Sequence, residues 1–95
     1  MMYLKDLGFS EEVVELLNKS LPDLAINSLE KEQEVVTANI NYLKELGVSN
    51  YVDAFVNFYN MFLIDNDTFD EIFSKYDTED LVAKLEKNVA IMEYL

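Results

Sequence analysis

YLKDLGFS at residues 3–10 returns as YLKELGVS at residues 42–49, with six of eight positions identical and the other two alike in chemistry (Asp6 against Glu45, Phe9 against Val48). Each copy reads as the end of a helix that stops at a glycine, because a residue without Cβ can take the left-handed conformation that closes a helix. Gly8 and Gly47 are the only glycines in the chain. One apolar residue comes after each, and then a serine, Ser10 or Ser49, of the type that caps the free N–H groups of the next helix. The phrase is therefore a helix stop, a turn and a helix start, written twice.

Working outward, the composition agrees with helices. Ninety-five residues make one small domain with one core. Half the residues are hydrophobic (51%), and two glycines and one proline are too few turn formers for a many-stranded fold. The chain holds 19 acidic residues and 7 basic ones, a net charge of −12, and every basic residue is lysine. The excess is spread evenly: −5 over residues 1–48 and −7 over residues 49–95. Such a field repels polyanions and anionic lipid, attracts basic partners, and makes stability rise with moderate salt. Without arginine, the bidentate readers of guanine and phosphate are missing.

The absence of Cys and His excludes disulfides, thiolate nucleophiles, imidazole bases and the usual zinc sites. It suits a reducing cytoplasm, the expected location. The start MMYLKDLGF has neither a basic leader nor a long apolar stretch, so no signal peptide is expected. The longest apolar run, Tyr51 to Ile64, is interrupted by Asp53, Asn57 and Asn60 and falls short of the roughly 20 residues that span a bilayer. A soluble protein without a membrane partner is expected.

Along the chain, Val13, Val14, Leu16, Leu17 and Leu21 have helical spacing after Ser10, with Glu11 and Glu12 in the first turn, where the helix dipole favours them. Pro22 ends that element or begins the next. Residues 22–27 predict one short turn, and Ser28 a cap for a long helix to about Leu46 with Leu29, Val36, Ile40 and Leu43 on one face. In the next helix, about 50–64, Asn50, Asp53, Asn57 and Asn60 leave one narrow polar stripe, and apolar residues cover the rest. Thr68 with Glu71 predicts a capping box for a short helix to about Tyr76. A last helix, about 79–95, aligns Val82, Leu85, Val89 and Met92. The expected fold is all-α: a small bundle over residues 1–95 made of two imperfect helix-turn-helix repeats with solenoid-like stacking, about 8–46 and about 47–95.

A unit running through Leu7-Gly8-Phe9-Ser10, Val13, Leu16, Leu17, Pro22, Leu24 and Ser28-Leu29-Glu30 to Asn39-Ile40, Tyr42-Leu43 and Leu46-Gly47 resembles the helical repeat of the mitochondrial transcription termination factor family, in a bacterial-type form. The second copy opens alike with Val52, Phe55 and Val56. It lacks the proline, has a longer acidic middle at 65–80, and closes with Asn88-Val89, Ile91-Met92 and Leu95. The resemblance implies an all-helical repeat fold and an association with nucleic acid. The seven lysines, each with acidic neighbours in sequence, supply no basic face for duplex contact.

Two clusters invite a site. Asp65 and Asp67 open the densest carboxylate run, but a calcium loop started at Asp65 would place Asp70 where glycine is needed and Tyr76 where the bidentate glutamate belongs. They stay weak metal candidates, and no cofactor is expected. Adjacent carboxylates such as Glu11 and Glu12 point about 100° apart on a helix, so no enzyme is expected. The aromatic helix suggests partner contacts at Tyr51, Phe55, Phe58, Tyr59 and Phe62, with Asp70 and Glu71 supplying charge. Homodimerisation is one way to cover it. The sequence thus leaves two roles: a non-catalytic interaction or regulatory module for a basic protein, or a nucleic-acid-associated regulator, including a DNA mimic that occupies a DNA-binding protein.

Overall fold

The computed structural model describes all 95 residues and contains seven α-helices and two 3₁₀ segments with no strand: α1 Tyr3–Asp6, α2 Glu11–Ser20, α3 Asp23–Lys31, α4 Gln33–Leu46, α5 Tyr51–Phe58, the 3₁₀ segment η1 Tyr59–Leu63, α6 Asn66–Ser74, α7 Thr78–Lys87 and the 3₁₀ segment η2 Val89–Tyr94. It is the all-α bundle that the periodicity predicts.

The two copies of the repeated phrase fold alike, hydrogen bond for hydrogen bond. Gly8 (φ 102°) and Gly47 (φ 97°) are the only residues with positive φ. The Gly8 N–H donates to the Lys5 carbonyl and the Phe9 N–H to the Leu4 carbonyl, both at 3.1 Å; Gly47 to Lys44 and Val48 to Leu43 repeat those bonds at the same length. This is the Schellman closure, in which the carbonyls orphaned at a helix end are satisfied by the next two N–H groups. The residues it brings together, Leu4 with Phe9 and Leu43 with Val48, are buried.

Beyond the turns the two copies diverge. The Ser10 hydroxyl accepts from the Val13 N–H at 3.2 Å, as a cap should. Ser49 does not cap α5: its N–H and hydroxyl both donate to the Glu86 carboxylate, and Asn50 takes the cap position and donates through Nδ2 to the Leu85 carbonyl at 2.9 Å. The second turn is thus bound to α7 by contacts remote in sequence.

Several boundaries move from expectation. Pro22 begins α3, and Ser28 lies inside that helix rather than starting the next; the chain bends at Glu32 (φ −103°, ψ 35°). The cap of α6 is Asp65, whose carboxylate accepts both the N–H (3.1 Å) and the hydroxyl (2.8 Å) of Thr68. Thr68 therefore sits in the first turn and is not itself the cap. The expected helices at 50–64 and 79–95 each break, at Phe58 (φ −137°) and at Asn88 (φ −153°), and continue as 3₁₀. Leu16 and Leu24, which apolar spacing and the repeat pattern place with the core, are exposed.

α4 is the central element, flanked by α3, α5, η1 and α6. Its inner face is the predicted one: Val36, Ile40 and Leu43 are completely buried, and so is Leu29 on α3. Nineteen buried residues form one core. Through it runs a chain of ring contacts, Phe9–Phe55 (5.4 Å), Phe55–Phe62 (5.2 Å), Phe62–Phe69 (5.4 Å) and Phe69–Phe73 (4.7 Å) between centroids, so both repeats share one aromatic spine. Offset and edge contacts of this kind add about 0.5–1.5 kcal/mol each to area burial.

Most of the cover that the apolar α5 stripe calls for comes from within the chain. Phe55 and Phe62 are fully buried, the remaining aromatics of the stripe are half-buried against the core, and none of residues 51–64 is an exposed large hydrophobic. α4, η1 and η2 surround the helix. Tyr51, Val52, Val56, Phe58, Tyr59, Met61, Leu63 and Ile64 each keep part of their surface in solvent.

One polar side chain is wholly buried. Asn39 donates through Nδ2 to the carbonyls of Phe62 (2.9 Å) and Ile64 (2.8 Å), and its Oδ1 accepts from Asn66 Nδ2 (3.0 Å). It fastens the end of η1 to α4. Asn39→Leu keeps the volume but strands two carbonyls, and we expect a loss of about 2–4 kcal/mol in urea denaturation.

Candidate functional site

The structure disperses the sequence-predicted contact residues. Phe55 and Phe62 belong to the spine. The Tyr51 hydroxyl donates to the Leu7 carbonyl at 2.9 Å, the carbonyl that also accepts from Lys44 Nζ at 3.1 Å, and Lys44 stands 5.3 Å from the Tyr51 ring centroid. Tyr51 is thus a joint between the two repeated turns. Phe58 and Tyr59 are half-buried at the α5–η1 break, and Asp70 and Glu71 are exposed on α6. Both Asp65 oxygens are spent on Thr68, which holds that carboxyl below its usual range. Nowhere do three Asp or Glu side chains converge as metal ligands.

Two tyrosines are held protonated to unusually high pH. Burial first, and then the Glu30 charge, pushes Tyr3 from 10.0 to about 12; burial, then the hydrogen bond and charge of Asp70, does the same to Tyr42. The native state keeps these protons when the unfolded chain has lost them. Their contribution to stability is therefore complete below pH 10 and disappears as pH rises from 10 towards 12. Alkaline unfolding should begin in that window, and Tyr3→Phe should make the decline shallower in a pH series of thermal melts. Tyr3 also donates to the Leu29 carbonyl at 2.8 Å, so the variant's stability near pH 7 is the reference.

The one concave site lies elsewhere, between α7 and η2. Asp77 caps α7 by accepting the Asp80 N–H at 3.1 Å, which sets Asp77, Glu79 and Asp80 at the positive end of the helix dipole. At the far end Asn88 leaves helical geometry and its Oδ1 accepts from the Ala90 N–H, which starts η2 and packs it onto both α7 and α5. A cleft of about 190 Å³ remains between the two segments. Leu81, Ile91 and Leu95 give it an apolar floor, Tyr76 and Tyr94 flank it, and Asp77, Asp80 and Lys84 form the rim. Tyr76 is 40% and Tyr94 80% exposed. Lys84 Nζ meets Asp80 at 3.0 Å, with both side chains more than half in solvent, a pair worth at most a few tenths of a kcal/mol.

The cleft is not legible in the sequence, because its residues lie in two segments joined by a break at Asn88 that no glycine or proline announces. The one signal was Tyr94, an aromatic residue off the Val82, Leu85, Val89 and Met92 face. The cleft offers an apolar seat, two ring faces, two carboxylates and one lysine ammonium.

Compared with protein-family models, curated proteins and solved structures, the chain matches none. No helix is long and apolar enough to cross a membrane.

Proposed function

We propose that this protein is a non-catalytic interaction module of the cytoplasm whose acidic surface engages a basic protein. One observation carries the reading: of 19 carboxylate side chains 18 are exposed, and only Glu11, Glu30 and Asp80 have a cationic partner within 4 Å. Apart from a few that accept local hydrogen bonds, such as the helix caps Asp65 and Asp77 and the Ser49 partner Glu86, carboxylates left in solvent without a cation cost self-repulsion and are suited to steering an oppositely charged molecule. The fold is read as a two-unit, bacterial-type relative of the mitochondrial transcription termination factor repeats, supported by the identical closure of the two turns. Occupying a DNA-binding protein by imitating DNA's charge is the same chemistry with a particular partner.

Direct duplex binding is not part of the reading, since no basic face exists to neutralise phosphates. In fluorescence anisotropy with labelled duplex, no binding is expected at physiological salt. Capture from native lysate, with and without nuclease, tests the proposal: a basic protein should be retained in both samples. Retained protein that disappears on nuclease treatment would overturn it.

A further inference from the structure

We infer that the α7–η2 cleft is the anchor point of this surface, and that its occupant is a protein segment presenting one apolar or aromatic side chain flanked by lysine or arginine. The inference rests on the acidic-module reading and adds to it a place and a chemistry. The cleft's size selects the occupant first. About 190 Å³ falls below the roughly 300–1,000 Å³ of pockets that enclose small-molecule ligands, and suits a single large side chain on the Leu81, Ile91 and Leu95 floor.

Charge selects next. The segment 65–80 holds seven carboxylates against one lysine, and two of the seven, Asp77 and Asp80, stand on the rim of the cleft. Polyanions and a second copy of this chain are both repelled. A cation beside the apolar anchor meets favourable ground twice. It can take Asp80 from its weak, solvent-exposed pairing with Lys84, and it can lie over Tyr76 or Tyr94, whose ring faces attract cations. The exposure of these rings fits that use. Only five large hydrophobic residues of the chain are exposed, and two of them border this cleft.

Titration of the ¹⁵N-labelled full chain with two synthetic peptides tests the inference. Both carry four lysines; one has phenylalanine at its centre and the other alanine. Amide shifts from the phenylalanine peptide should concentrate at residues 76–84 and 91–95, and its affinity should exceed that of the alanine peptide. Tyr94→Ala, a change at an exposed side chain that leaves the spectrum otherwise dispersed, should weaken the phenylalanine peptide about two- to fivefold. Equal binding of both peptides, with shifts spread over the carboxylates, would overturn the cleft assignment and leave the acidic module standing. If neither peptide shifts any amide at low salt, both fall.

Discussion

Phe62→Ala should come close to unfolding the protein. Phe62 is completely buried, between Phe55 and Phe69 in the aromatic spine. Truncating a buried phenylalanine costs about 3–5 kcal/mol through lost transfer energy and the cavity left behind. A domain of this size has a total stability of about 5–15 kcal/mol, with small domains towards the lower end. Relaxation is also restricted, because the backbone at Phe62 is fixed by the bond from Asn39 to its carbonyl. Phe58→Ala is the matched control: it removes the same side chain from the same stripe at a half-buried position, and should cost roughly half as much or less. Urea denaturation followed by circular dichroism gives both values. If Phe58→Ala proved as damaging as Phe62→Ala, the inside and outside of this stripe would have been assigned incorrectly.

The two glycines should respond unequally to the same substitution. Gly8→Ala and Gly47→Ala each force an L side chain into positive φ, at about 1–2 kcal/mol. At Gly47 nothing lies within 4 Å of the added carbon, so the backbone term is the whole cost. At Gly8 the added Cβ would run into the Tyr51 hydroxyl oxygen, which is itself committed to the Leu7 carbonyl. Either the ring moves, breaking that bond and disturbing its edge contact with Phe9, or the turn does. We expect Gly8→Ala to cost about 2–4 kcal/mol, adding a lost hydrogen bond and steric strain to the backbone term. In the Tyr51→Phe background the difference between the two glycine variants should shrink. A difference unchanged by removal of that hydroxyl would show that the clash is not its source.

The features legible in the sequence are those decided within one or two helical turns. The glycine stops, the Ser10 cap and the Val36, Ile40 and Leu43 face all depend on neighbours along the chain and are found as read, whereas Leu29, read onto the same helix, is buried from α3 across the bend at Glu32. The misreadings share a cause as well. Ser49 is drawn from its capping role by Glu86, 37 residues away. The burial of Asn39 is likewise decided from far away, since its partners lie 23 to 27 residues downstream. Asp65 and Thr68 are interchangeable as caps by residue type, and the choice between them lies in where the preceding segment emerges from η1. The candidate site was hidden for the same reason: Tyr76 and Tyr94 become neighbours of one cleft only because Asn88 reverses the chain.

η2 has a consequence for the order in which the molecule can be made. This six-residue segment places Met92, almost wholly enclosed, against α5 and α7, so the middle of the chain is finished by residues near position 92. During synthesis, α5 leaves the ribosome before the segment that covers it on one side. The local turns at Gly8 and Gly47 can close at once, since each needs only residues within five positions. The contacts of α5 with α4 and η1 come next, and only the side that η2 covers is closed last.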